Sequence, residues 1–73
     1  MARTEIAATV TGSVWEVLVK VGDRVNAGDD ILIAEAMKME IGIASSVSGT
    51  VVEIRVESGA EIEEGATVAV IEG

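Results

Sequence analysis

Gly12-Ser13-Val14-Trp15-Glu16-Val17 and Gly49-Thr50-Val51-Val52-Glu53-Ile54 carry one pattern of glycine, apolar and acidic residues, repeated 37 positions later. Outward from these hexapeptides the spacing holds without a gap. Gly22 meets Gly59 and Gly28 meets Gly65, while Val10 meets Val47, Val19 meets Val56, Val25 meets Ile62, Ile31 meets Val68 and Ile33 meets Val70. Glu35 meets Glu72 in the same register. Self-similarity at a fixed period marks a repeated structural unit. The chain therefore divides into one unit from about Ile6 to Glu35 and a second from about Ile43 to Glu72.

Within each unit the residues read as strands broken by tight turns. Alternation along Val14 to Val21 puts Trp15, Val17, Val19 and Val21 on one face and Glu16 and Lys20 on the other. In the copy, Val52, Ile54 and Val56 face inward and Glu53, Arg55 and Glu57 outward. Two closely spaced turns follow in each unit, over residues 22–30 and 58–65, where Gly, Asn and Asp satisfy the conformations that turns demand. A further strand closes each unit, at Ile31–Ala34 and Thr67–Ile71. Val and Ile with frequent turn signals and no helical stripe predict an all-β fold. Neither unit alone has enough strands to bury an apolar face. Two units related by an approximate twofold axis solve this as a flattened barrel or sandwich of two four-stranded antiparallel sheets, with Trp15 expected as its one large core filler.

Composition narrows the function. Seventy-three residues with 49% hydrophobic content make one domain, 1–73. A chain of this size buries only about 60% of its unfolded surface, which leaves little depth for a catalytic cleft. Thirteen acidic against five basic residues give a net charge of −8, which opposes binding to nucleic acid or an anionic membrane. With no Cys, His or Tyr, disulfides, the usual zinc ligands and the commonest general base are missing. The pairs Asp29 and Asp30 or Glu63 and Glu64 are the only candidates for a catalytic dyad, and adjacent acids in turns ordinarily serve as solvated punctuation. No apolar stretch is long enough to span a bilayer and the first residues lack the core of a signal peptide, so a cytoplasmic protein is expected.

Between the two units lies Ala34-Glu35-Ala36-Met37-Lys38-Met39-Glu40-Ile41-Gly42-Ile43, where local preference and context disagree. Ala, Glu, Met and Lys favour helix. The flanks alternate as strands, however, and the residues left between them are too few for a stable helix. Lys38 is thus expected at the tip of a β-hairpin joining the units, with Met37 and Met39 exposed or half exposed beside it. Taken alone, Lys38 is either an ordinary surface charge or an amine presented on a flexible stem for modification. The methionines are either core filler or adaptable contacts for a partner surface.

Ala36-Met37-Lys38-Met39, with Glu35 before it and Glu40 after it, resembles the attachment motif of the biotinyl domains of biotin-dependent carboxylases, and the likeness extends over nearly the whole chain. In that family the motif sits on a hairpin between two quasi-symmetric halves of a flattened β-barrel. The resemblance implies that Lys38 carries biotin as an amide, formed by a biotin protein ligase with ATP. It implies further that Met37 and Met39 favour handling by the ligase and the carboxylase. The biotin ring would carry carboxyl groups between a biotin carboxylase and a carboxyltransferase component, with the domain itself a non-catalytic, monomeric carrier. Glu35 and Glu40 serve either partner recognition or hairpin solubility.

Some biotinyl domains of multi-subunit acetyl-CoA carboxylases carry a protruding thumb in the first half. The gapless repeat predicts none here. Lipoyl domains share the fold but carry Asp-Lys-Ala at the turn, so Met37-Lys38-Met39 favours biotin, although Glu35 three places earlier resembles the lipoyl pattern and keeps lipoate open. An unmodified interaction module offering an edge strand is the alternative from another class. The sequence fits either a complete protein or the C-terminal domain of a longer one.

Overall fold

Most of the Val-, Ile- and Thr-rich stretches become strands in the computed structural model, which describes residues 2–73, although the alternation along Val14 to Val21 is strand only as far as Val17. In chain order these are β1 (Arg3–Ala7), β2 (Gly12–Val17), β3 (Arg24–Val25), β4 (Asp30–Ala36), β5 (Met39–Ala44), β6 (Gly49–Ile54), β7 (Glu61–Ile62) and β8 (Thr67–Glu72). They form two four-stranded antiparallel sheets, ordered β1-β8-β6-β3 and β5-β4-β2-β7. We call these the first and second sheet. A shift of 37 residues converts one order into the other, so the repeat in the sequence is an approximate twofold in space. Each sheet takes two strands from each unit, and neither unit is a sheet by itself.

The exchange happens at the glycine turns. After β2 the chain leaves the second sheet, turns at Gly22 and enters the first sheet as β3. Gly22 N–H donates to the Val51 carbonyl at 2.8 Å and Val51 N–H to the Asp23 carbonyl at 2.8 Å. The copy repeats both bonds, from Gly59 to Val14 and from Val14 to Ala60, each at 2.8 Å. Gly22 and Gly59 adopt φ values of 99° and 91°, a region that a Cβ makes costly. Gly12 and Gly49 have a different reason to be glycine: a Cβ there would collide with the backbone carbonyl of Glu35 or of Glu72.

Between the sheets lies a core of aliphatic residues, including Ile6, Val14, Ile31, Leu32, Ile43, Val51, Val68 and Ile71. Apolar burial of this kind is worth about 25 cal/mol per Å² and is the main stabilising term in a chain without disulfides. Trp15 takes no part in it. Both β2 and β6 contain a register shift, between Val14 and Glu16 and between Val51 and Glu53, which makes Trp15 and Val52 the extra residues of paired bulges. The bulge moves the strand's phase by one place. Val14 is buried, Val17 and Val19 pack against the core, and Trp15 and Val21 are 53% and 59% exposed. In the copy Ile54 and Val56 pack inward as expected, whereas the bulge residue Val52 stays outside the core cluster. The core is filled by many small aliphatic side chains rather than one large aromatic.

The molecule is elongated, 37 × 19 × 19 Å. β4 and β5 form a hairpin at one end, and β2 runs away from it toward the other end, where β1 and β8 pair at Arg3 and Glu72. The halves match in every connection, and no inserted thumb interrupts the first. Among the described residues, no helix is long and apolar enough to cross a membrane.

Candidate functional site at the hairpin tip

β4 and β5 are paired up to Ala36 and Met39, which leaves Met37 and Lys38 as a two-residue turn. Both have positive φ, 53° and 64°, as the central residues of a type I′ turn require. Asn-Gly is the usual occupant of such a turn. Met and Lys pay for that backbone with roughly 1 kcal/mol or more of strain each. They are the only non-glycine residues at positive φ among the described residues, and they sit at the midpoint of the duplicated sequence.

This geometry exposes the tip. Lys38 lies on the surface with no hydrogen bond or ion pair to another described residue. Met37 is 94% and Met39 62% exposed, so neither methionine is core filler. Beside the turn is an open hollow lined in part by Gly12, Ser13, Ala36 and Met37. Glu35 and Glu40 face each other across the hairpin, and neither β4 nor β5 contains a basic residue to neutralise them. Like charges in directly opposed positions oppose pairing. The site thus holds a free amine on a long stem, two soft apolar contacts and two uncompensated carboxylates.

The other candidate acids are all exposed, and of their carboxylates only that of Asp29 accepts a hydrogen bond from another described residue. Asp29 Oδ2 accepts the Asn26 N–H at 2.9 Å, bracing a turn, and the Asp30 carboxylate lies over Gly42. Glu63 and Glu64 are exposed in the matching turn, where Glu64 N–H donates to Thr11 Oγ1 at 3.0 Å. No cluster of three or more His, Cys, Asp or Glu that would hold a metal occurs among the described residues. A biotin amide asks the protein for one accessible amine and no enclosing pocket, and Lys38 meets that requirement.

Comparison with known proteins agrees with this geometry. The family model described as biotin-requiring enzyme matches residues 2–71. A biotinylated protein TB7.3 homolog from Mycolicibacterium smegmatis is 54% identical over 68 residues, covering 93% of this chain and 96% of that protein. The methylmalonyl-CoA carboxyltransferase 1.3S subunit of Propionibacterium freudenreichii subsp. shermanii is 56% identical over 36 residues, covering 49% of this chain and 29% of the subunit. Among solved structures, the Kluyveromyces lactis urea carboxylase superimposes with a TM-score of 0.92 at 38% identity, covering 99% of this chain and 6% of that one. A single-chain, multi-domain long-chain acyl-CoA carboxylase gives 0.86 at 28% identity, covering 93% and 7%. The chain thus spans a small part of these carboxylases and nearly all of the mycobacterial protein. With its duplicated sheets, its lysine-tipped hairpin and a family match over almost its full length, the chain belongs to the biotin-requiring enzyme family.

Proposed function

We propose that this domain is a biotin carboxyl carrier and that Lys38 is its attachment residue. The observation that carries the reading is the two-residue turn, which holds the Lys38 amine beyond the last strand pair with Met37 and Met39 exposed on either side. A biotin protein ligase joins the biotin carboxyl group to Lys38 Nζ as an amide, with ATP converted to AMP and pyrophosphate. Once bound, biotin supplies a ureido nitrogen that takes up and releases a carboxyl group. The chain's own contribution is mechanical. Its sheets give a rigid base and its lysine stem a mobile arm, so the tethered ring meets successive active sites at an effective concentration that free cofactor does not reach. Amide formation also removes the Lys38 charge from the tip.

The partners on this reading are the ligase, a biotin carboxylase component and a carboxyltransferase component. On this reading the domain is a carrier for them and not itself an enzyme, and the relative named as a biotinylated protein supports it. It works as a monomer in the cytoplasm, where ATP for ligation is available. Met37 and Met39 give the partner enzymes adaptable apolar contacts close to the reacting amine. Co-expression with a biotin ligase and, separately, with a lipoate ligase distinguishes the two acyl groups by intact mass. A single biotinyl adduct with streptavidin binding is expected; a lipoyl adduct alone would overturn the assignment.

A further inference from the structure

The approximate twofold supplies an internal control, because each outer face of the sandwich answers the same structural demands. The first sheet's outer face is self-satisfied. Arg3 Nε donates to Glu72 Oε2 at 3.0 Å, Thr67 Oγ1 donates to Glu5 Oε1 at 2.9 Å, and Arg55 is paired with Glu53. These are the only side chain to side chain hydrogen bonds among the described residues.

On the second sheet every one of those pairs is broken by substitution at the equivalent position. Glu40 stands where Arg3 does, opposite Glu35; Leu18 stands where Arg55 does, leaving Glu16 without its partner; and Asp30 with Gly42 replaces Thr67 with Glu5. Trp15 replaces Val52 in the bulge. The result is an apolar centre of Trp15 and Leu18, 53% and 43% exposed, around the half-buried Ile33, rimmed by Glu16, Asp30, Glu35 and Glu40. The strands of this sheet contain no Lys or Arg. Since the first sheet folds with ordinary pairs at the same places, folding does not require this pattern.

We infer that the outer face of the second sheet is a docking surface for the biotin protein ligase, whose matching surface is apolar at its centre and basic at its rim. The inference rests on the carrier reading above. Charge selects the partner: a second copy of this chain would set acid against acid, and a nucleic acid would be repelled. Geometry selects the ligase over the carboxylase components. Before modification the amine ends on a four-carbon stem, so the ligase has to bring its body against the hairpin and the sheet behind it. The later enzymes are reached by a longer arm. β4 leads from the patch directly into the turn, and Ile33 lies about 15 Å from Lys38 at the usual strand rise. A standard interface of about 800 Å² per partner covers both.

The test measures ligation kinetics with a purified bacterial biotin protein ligase, ATP and biotin, varying the domain. Trp15→Val with Leu18→Arg installs the residues that the first sheet carries at the equivalent places. Its KM is expected to rise tenfold or more with kcat within twofold, while the opposite-face control Glu5→Ala stays within twofold in both. Glu40→Arg, which removes a like-charge pair, is expected to raise KM severalfold without loss of melting temperature. Added salt is expected to raise the wild-type KM. A KM within twofold of wild type for both the double variant and Glu40→Arg would overturn the docking face while leaving the carrier reading intact. A wild-type domain that takes no biotin, or a Lys38→Arg domain that still does, would overturn both.

Discussion

At one end of the molecule Glu72 faces Arg3 across β8 and β1 and the two are ion-paired; at the equivalent place on the other end Glu35 faces Glu40 across β4 and β5 with no counter-charge on either strand. The terminal end closes with an ordinary backbone bond, Gly73 N–H to the Ala2 carbonyl at 3.0 Å. The hairpin end closes with two side-chain-bearing residues at positive φ. One scaffold thus carries a stabilised end and an end that gives up stability, and only the second holds the amine. The difference teaches which features belong to the fold and which to its use: those shared by both copies make the sandwich, and those present in one copy are where function is to be sought.

Four variants break or sharpen this comparison. The largest effect is expected in the shared core, where Ile6 and Ile43 are equivalent and buried to 3% and 1% exposure. Ile6→Ala and Ile43→Ala should each cost about 2–5 kcal/mol in urea unfolding, and by similar amounts. A negligible loss at either site would mean that the two units do not share one packing scheme. A gain of about 1 kcal/mol is expected when Met37-Lys38 is replaced by Asn-Gly, which relieves the turn and removes the modification site at once. Unchanged stability would show that the turn is unstrained. The smallest effect is expected for Glu40→Arg, which copies the terminal pair at the hairpin and should add up to about 1 kcal/mol at low salt, fading as salt is raised. A destabilised Glu40→Arg variant would contradict the contrast drawn between the two ends.

Much of this was legible in the sequence, because the repeat expresses a backbone requirement. Coincident glycines at 12 and 49 or 22 and 59 mark places where the same carbonyl approaches or the same turn forms, so the spacing carried the twofold and the hairpin between its halves. Trp15 lies outside the core expected for it because strict alternation assumes an unbroken ladder. The signal of the bulge was present in both copies: buried Val14 and half-buried Val17, like Val51 and Ile54, are three places apart with an acid between them, a spacing that a regular strand does not produce. The exchange of strands between units was not legible, since pairing across the sandwich depends on contacts far apart in the chain. Nor was the handedness of the turn, for Met37 and Lys38 are not residues that positive φ selects.

Lys20 and Lys38 are the only lysines in the chain, which makes the central claim directly testable. After incubation with biotin protein ligase, ATP and biotin, peptide mapping by mass spectrometry should find the label on Lys38 alone, with Lys20→Arg fully labelled and Lys38→Arg folded but unlabelled. Label on Lys20, or on a Lys38→Arg domain, would contradict the account.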